Sequence, residues 1–432
     1  MKESLWQNSA SLPEFEALKK DIKTDVLIIG GGICGILCAY QLEKASIPYI
    51  LVEGNTIASG ITKNTTAKIT SQHGLIYQKL FHSHGKEGAQ KYLDINQQAL
   101  AEYQKLCQEI DCNFETKDAF TYSLTDRSKL EEEVRCLNSI GFDASFEEKT
   151  ELPFSVRGAV RFKDQAQFHP LKFIAEIASG LNIFEHTLVR ELTPTEAITN
   201  HGKIHADKII LTTHFPFINK HGSYFLKLYQ HRSYVSAYRN AAQFDGMYVD
   251  EDKSGMSFRN FNDFLLIGGG GHRTGKDGCS WKEIDKFADK YYPDAQCDFQ
   301  WATQDCISVD SVPYIGQYSK NTPNMFVATG FNKWGMTSSM VSAIILKDLV
   351  AEKRNEYSDV FSPQRSILTP QLFINAFEAT ANLLAPTKKR CPHLGCALKW
   401  NKYEHSWDCP CHGSRFHEDG TLIDNPATGD LK

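Results

Sequence analysis

The sequence predicts an α/β protein: a Rossmann-like dinucleotide-binding domain, then an antiparallel sheet, then a small, shortened β segment rich in cysteine. Three observations predict it. The apolar run Val26-Leu27-Ile28-Ile29 leads straight into glycines and a helix-like stretch, as a buried parallel strand feeding a helix does. Ser223 to Trp281 is rich in aromatic and alternating residues, as strands with one buried face are. Of the 12 cysteines, eight lie in residues 1–390 and four in the last 42, a distribution foreign to disulfide-rich secreted scaffolds.

The 432 residues carry 47 basic and 52 acidic side chains, a formal charge of −5, and are 41% hydrophobic. On a soft prior of roughly 150 residues per domain they form two or three domains. The composition excludes a disordered chain, and the overall charge draws it neither to nucleic acid nor to anionic membranes. Met1 to Asp25 is polar throughout, without the apolar core of a signal peptide. No apolar run approaches the roughly 18–20 residues of a membrane span. The cytoplasm is the expected location.

Taken in order, the first strand is followed by Gly30-x-Gly32-x-x-Gly35 and a helix, then by Pro48 to Glu53, a second apolar strand ending in an acid 23 positions after Gly30. This is the order of a dinucleotide fold: the glycines permit the tight turn and close approach to pyrophosphate, and Glu53 accepts from ribose hydroxyls. The fingerprint alone does not choose between NAD and FAD. Lys86 to Cys112 and Arg127 to Ile140 read as amphipathic helices inserted after it. Asn182 to Leu192 reads as a strand pair or bend, and Ala206 to Leu211 as a buried strand. Tyr229 to Tyr238 and Phe264 to Gly268 read as strands of an antiparallel substrate sheet. The glycine run from Gly268 lacks a following helix and reads as a loop beside the active site rather than a second nucleotide turn. Asn324 to Met336 runs from a strand through Gly330 to Gly335 and into a helix, Thr337 to Leu349, so a second helix N-terminus is available to the ligand.

At the end of the chain stand Cys391-Pro392-His393-Leu394-Gly395-Cys396 and Cys409-Pro410-Cys411-His412-Gly413-Ser414. Cys-x-His, fifteen residues, then Cys-x-x-His could hold zinc or a Rieske [2Fe–2S] centre. Zinc has no need of the additional cysteines or the glycines.

Together with Asp310 to Gly316 (DSVPYIG), residues 20–355 resemble the FAD-dependent amine and amino-acid oxidoreductase family related to D-amino-acid oxidase. GGGxxG with Glu53, the SGITKNTTAKIT segment from Ser59, and DxxPxIG followed by TGFNKWGMT fall in that family's order. The resemblance implies FAD, held by Gly30, Gly32, Gly35, Glu53, Ser59, Gly60, Thr62, Asn64 and Thr65, with Val189 against adenine and Gly330, Gly335, Met336 and Thr337 at the flavin end. The two terminal boxes are similar to those of Rieske proteins. That likeness implies Cys391 and Cys409 on one iron, His393 and His412 on the other, and a disulfide between Cys396 and Cys411. It also implies a hydrogen bond from Ser414 to a bridging sulfide. Phe416 stands where many such proteins carry tyrosine, so a potential below the highest members is expected. The strands that normally precede the first box are not evident; Gln371 to Leu384 reads as a helix and Pro386 to Arg390 as a connector.

The expected organisation is a first FAD-binding segment (1–80), a helical insertion (81–150), a second FAD-binding segment (151–215), a substrate sheet (216–300), a third FAD-binding segment (301–355), a linker helix (356–388) and the Rieske segment (389–432). Arg232, Tyr234, His272 and Tyr314 are the candidate catalytic residues, as polar groups on the expected site strands. Trp301 to Asp305 holds no arginine, so an α-amino-acid substrate would need Arg232 or Arg273 to clamp its carboxylate. The expected activity is dehydrogenation of a small amine or amino-acid-like substrate by hydride transfer to FAD, with electrons passed to the Rieske centre and then to an unidentified acceptor. Two alternatives stay open: an NADH-linked flavin/Rieske reductase, and a redox-responsive electron carrier without an organic substrate.

Overall fold

A computed structural model describes residues 3–431 except 219–220, 253–254, 277 and 279; Cys279, one of the eight body cysteines, lies outside the described residues. In the strand Ile22–Ile29 the last four residues, Val26 to Ile29, are apolar on both faces because both are covered. It pairs in parallel with Tyr49–Val52 on one side and Lys203–Leu211 on the other. Thr322–Thr329 adds in parallel and Tyr314–Ser319 antiparallel, while Ile183–Phe184 closes the opposite edge. The helices Ile33–Lys44 and Gly335–Val350 pack side by side on this sheet. This is the Rossmann-like fold the sequence predicts.

The second sheet is larger than expected. It runs in the order Gln296–Ser308, Leu228–Arg239, Phe264–Arg273, Ser257–Phe261, Gly246–Asp250, Glu115–Ser123, Gly158–Gln167, Lys68–Ile69. Its pairings are antiparallel except where Gly246–Asp250 lies parallel to Glu115–Ser123. Residues 81–150 are therefore not a purely helical insertion, since Glu115–Ser123 is an internal strand. Gly158–Gln167 likewise belongs to this sheet rather than to the FAD-binding body. Both carry charges in their outer halves (ETKD, KDQ), which mask the alternation that marks a half-buried strand. The helices themselves form, at Ile76–Leu106, kinked at Gly85, and at Arg127–Ser139.

Gly268 to Gly271 lies within the strand Phe264–Arg273 and is not a loop. Gly270 adopts φ +60, and a Cβ there would stand 2.7 Å from the Ser280 carbonyl oxygen, so the chain needs glycine for close backbone approach rather than for a nucleotide. Of the body cysteines, Cys107 and Cys112 sit with their sulfurs 3.4 Å apart, a pairing their spacing did not suggest.

Side chains alternate across Leu228–Arg239. Val235 and Ala237 join the core shared with the FAD-binding body, whereas Tyr234 and Tyr238 join a separate core beneath the helix Trp281–Tyr291. The last unit is a four-stranded sheet of short strands, Lys399–Asn401, Ser406–Asp408, Arg415–His417 and Leu422–Asp424, preceded by the helix Pro370–Leu384.

Candidate functional site

The glycine turn is shaped by what surrounds it. A Cβ on Gly35 would fall 1.9 Å from the Gly30 carbonyl oxygen, and Gly30 holds φ +110 against Thr212; any larger residue at Gly35 would push the first helix off its strand. Beside Gly32 the only close atom a Cβ would meet is Thr62 Oγ1, at 3.3 Å, and beside Gly60 and Gly335 there is open space. That space is a cavity of about 1460 Å³, more than the usual 300–1,000 Å³ ligand pocket and roomy enough for a dinucleotide with a substrate beside it. Gly30, Gly32, Glu53, Ser59, Gly60, Thr62, Asn64, Thr65, Val189, Gly335 and Met336 all line it. Gly35, Gly330 and Thr337 support the wall from behind: Thr337 Oγ1 donates to the Thr70 carbonyl at 2.7 Å and accepts from its N–H. Glu53 accepts backbone N–H bonds from Gly31 and Asn55 at 2.7 and 2.8 Å. Two carboxylate oxygens retain further lone pairs for ribose.

The segment after the second strand is held from several sides. Thr62 Oγ1 accepts from Ile33 N–H at 3.1 Å, Trp301 Nε1 donates to the Asn64 carbonyl at 2.9 Å, and Trp6 Nε1 to that of Thr65 at 2.7 Å. The polar residues of this segment thus form a fixed wall rather than a free loop.

On the sheet side, alternation sorts the candidates. His231 and Ser233 line the cavity, across from Asp305 and Thr303 on the next strand. The His231 Nδ1 and Ser233 Oγ atoms are buried and make no hydrogen bond among the described residues. Burial pushes Asp305 up to about 6 against the pull of Lys333 and Arg232, and burial pushes Lys333 down against the pull of Asp305. Lys333 sits at φ +74 just before the helix Gly335–Val350, a conformation uncommon for a side chain of its size. His231, Ser233, Asp305 and Lys333 were not singled out from sequence; for His231 and Ser233 the strand alternation of YQHRSYVSAY was the available signal, and it does not say which face meets the ligand.

Arg232, Tyr234 and His272 are placed otherwise than as free catalytic groups. Arg232 forms a bidentate pair with Glu404 of the C-terminal unit, its Nε at 3.0 Å from Oε1 and its Nη2 on Oε2. Tyr234 Oη donates to Glu404 Oε1 at 3.2 Å and meets His272 Nε2 at 3.1 Å. Arg415 Nη2 completes the set at 2.9 Å from Glu404 Oε2, and Arg232, Arg415 and Glu404 are almost wholly buried. Arg273, the other candidate carboxylate clamp, donates to the Pro410 carbonyl and to Asn375 Oδ1. Tyr314 lies in the core behind the cavity, with the Arg365 guanidinium 4.0 Å above its ring. Arg232 and Tyr234 line the same cavity as His231 and Ser233 while bonding Glu404 of the C-terminal unit.

The two terminal boxes fold into the same turn. Cys391 N–H donates to the Cys396 carbonyl and Gly395 N–H to that of Cys391, each at 2.9 Å; Cys409, Ser414 and Gly413 repeat both bonds at the same distance. Gly395 and Gly413 take φ +78 and +85, left-handed positions that favour glycine. The turns bring the His393 and His412 rings to 4.9 Å and bury Cys391, Cys396, Cys409 and Cys411 together. The sulfurs of Cys396, Cys409 and Cys411 lie within 4.8 Å of one another. Cys396 and Cys411 are free cysteines here, so the disulfide stays a proposal between adjacent partners. Neither nitrogen of buried His412 makes a well-formed hydrogen bond among the described residues, as a ring awaiting a metal would be. Burial holds His393 down to about 4 and His412 to about 3, so both are neutral, the ligating form. Ser414 Oγ accepts from Ala427 N–H at 3.0 Å, which leaves its proton for the cluster side.

A dinucleotide cradle joined to paired Cys–His turns defines a flavoprotein oxidoreductase with an iron–sulfur domain attached. The chain belongs to the FAD dependent oxidoreductase family, whose model matches residues 25–349, and a Rieske [2Fe-2S] domain model matches residues 365–432. FAD and a Rieske [2Fe–2S] centre are its cofactors. The Rieske match takes in the helix Pro370–Leu384, expected as a linker. The chain is 33% identical to YhfW of Bacillus subtilis, a protein named as a Rieske 2Fe-2S iron-sulfur protein, over 100% of this chain and 97% of that one. The fold is shared with glycine oxidase from Geobacillus kaustophilus, at TM-score 0.67 and 19% identity over 80% of this chain and 99% of that one. It is shared equally with L-proline dehydrogenase from P. horikoshii, at TM-score 0.67 and 16% identity over 81% and 98%. Among the described residues no helix is long and apolar enough to cross a membrane.

Proposed function

We propose that the protein dehydrogenates a small amine or amino-acid-like substrate and passes the electrons to its own Rieske centre. When bound, FAD supplies a two-electron acceptor and the cluster a one-electron acceptor. One observation carries the reading: the histidine edge of the cluster site is turned inward. Phe215, just past the strand Lys203–Leu211, lies with its ring 6.0 Å from His412 and 6.4 Å from His393, and Phe225 lies 6.2 Å from His412. Gln304 Nε2 donates to the Gly413 carbonyl at 2.9 Å and Asn425 Nδ2 to that of Phe215 at 2.9 Å. The neighbouring Thr212, Thr213 and His214 line the FAD cavity, so a single short segment separates the two cofactor sites.

For the substrate, His231 and Ser233 offer unused hydrogen-bonding atoms and Asp305 with Lys333 offers one charge of each sign. An amine finds an acceptor in the Asp305 carboxylate. A carboxylate finds Lys333, since Arg232 and Arg273 are committed to the C-terminal unit. The oxidase and dehydrogenase named above act, by their names, on glycine and L-proline, which supports an amino-acid-like class.

The test is an anaerobic screen of amines and amino acids, following flavin bleaching and the cluster's low-temperature EPR signal together. Bleaching followed by a reduced-cluster signal is expected. Bleaching without cluster reduction would remove the second half of the proposal. Bleaching by NADH alone would favour the reductase alternative, and failure of every compound the substrate-free carrier.

A further inference from the structure

The helix Pro370–Leu384 is built inside out. Its inward face is polar: Asn375 Nδ2 donates to the Leu226 carbonyl at 3.0 Å, Asn375 Oδ1 accepts from Arg273, and Glu378 pairs with Lys276 at 2.7 Å. Its outward face carries Phe373, Phe377 and Leu384, which are 66%, 72% and 79% exposed and spaced to form one stripe. Of the nine large hydrophobic residues exposed among the described residues, eight lie between Leu368 and Tyr403. Soluble proteins rarely leave so continuous an apolar stripe to water unless something covers it.

The charge of the same stretch says what covers it. From Ser366 to Tyr403 there are five basic residues and one acid, Glu378, in a chain whose formal charge is −5. Glu378 is neutralised by Lys276, while Lys388, Lys399 and Lys402 carry no ion pair among the described residues. Arg390 caps the helix, donating to the Leu383 and Ala385 carbonyls at 3.0 and 2.9 Å, which fixes the basic connector against the end of the apolar stripe. The hairpin that follows exposes Trp400 and Tyr403, residues suited to a membrane–water interface. A second copy would bring like-charged connectors together. An anionic lipid surface meets both features: it takes the apolar stripe into its acyl boundary and attracts the lysines.

We infer that the outer face of Pro370–Leu384, with the basic connector Lys388-Lys389-Arg390, is a peripheral docking surface for anionic lipid bilayers. It seats the protein on the membrane with the cluster loops close above it, Leu383 being in contact range of Gly395. This goes beyond the oxidoreductase reading and does not depend on what the flavin oxidises.

The test is flotation of the full-length protein with vesicles of phosphatidylcholine alone or mixed with phosphatidylglycerol. Flotation with the mixed vesicles only is expected. The exposed-site variant Phe373→Ser/Phe377→Ser is expected to lower the bound fraction by about tenfold, and Lys388→Glu/Lys389→Glu to abolish the preference for anionic lipid. Unchanged flavin absorbance and circular dichroism verify that both variants fold. The inference is overturned by no flotation, by equal flotation with both vesicles, or by flotation that neither variant reduces. It is also overturned if the wild type sediments as a dimer that the Phe373→Ser/Phe377→Ser change dissociates, which gives the face to a second copy.

Discussion

Glu404 shows what a single carboxylate does when two domains close over it. Burial works against its charge, yet Arg232 and Arg415 hold its carboxyl down to about 2. Against roughly 4.3 in an unfolded chain, the lowered value is worth roughly 3 kcal/mol. Because the folded value is the lower one, this stabilisation is complete above about pH 4.3 and is lost as the pH falls toward 2. Urea unfolding across that range should show it in the wild type and not in Glu404→Ala. At neutral pH the substitution leaves two buried arginines without their shared partner and should cost about 3–5 kcal/mol; a loss below about 1 kcal/mol would show that the network is not what holds the docked unit. At the cluster, Cys409→Ser removes an expected iron ligand. The EPR signal should vanish while the flavin spectrum stays, and a retained signal would mean that the ligand set is wrong.

Among elements, the strand Leu228–Arg239 separates the two chemistries of the molecule. His231 and Ser233 face the cavity with unbonded polar atoms, whereas Arg232 and Tyr234 border it with theirs committed to Glu404 of the docked unit. Substitutions should divide accordingly. His231→Ala and Ser233→Ala should raise the KM for the substrate identified by the anaerobic screen while leaving unfolding unchanged. Arg232→Met should lower stability with little effect on KM for the substrate measured under the same conditions. An Arg232→Met variant with weakened substrate binding and intact stability would return that residue to the active site. The first helix makes a sharper case. Gly35→Ala places a methyl group 1.9 Å from the Gly30 carbonyl oxygen, so the purified variant should lack flavin absorbance yet retain the Rieske EPR signal.

For the whole molecule, the inward histidine edge makes removal of residues 365–432 informative. If the FAD-binding body folds alone, the truncated chain should bind FAD and bleach with substrate but return electrons only to an added dye. Full-length protein should be partly reoxidised by its own cluster, a difference that stopped-flow absorbance resolves. Equal reoxidation in both would deny the internal route. Much of this architecture is legible in sequence because the signals are local. A glycine turn between two apolar strands, and two Cys–His boxes, declare their geometry within a few residues of themselves. Glu115–Ser123 and Gly158–Gln167 escaped because their outer charges hide a strand that only its neighbours bury. The cavity-facing strand residues His231, Ser233 and Asp305 escaped because period-two alternation marks two faces without naming the one that meets a ligand, and Lys333 escaped because it sits in the turn before the helix Gly335–Val350, where no periodicity applies. By itself the sequence determined the dinucleotide cradle, the cluster turns and their order along the chain, since each depends on residue type at fixed spacing. Only the tertiary structure decided that Arg232 and Tyr234 bond Glu404 of the C-terminal unit and that the cluster's histidines look inward. Those facts depend on pairing Leu228–Arg239 with Glu404, 170 or so residues away, and no local pattern carries a contact of that range.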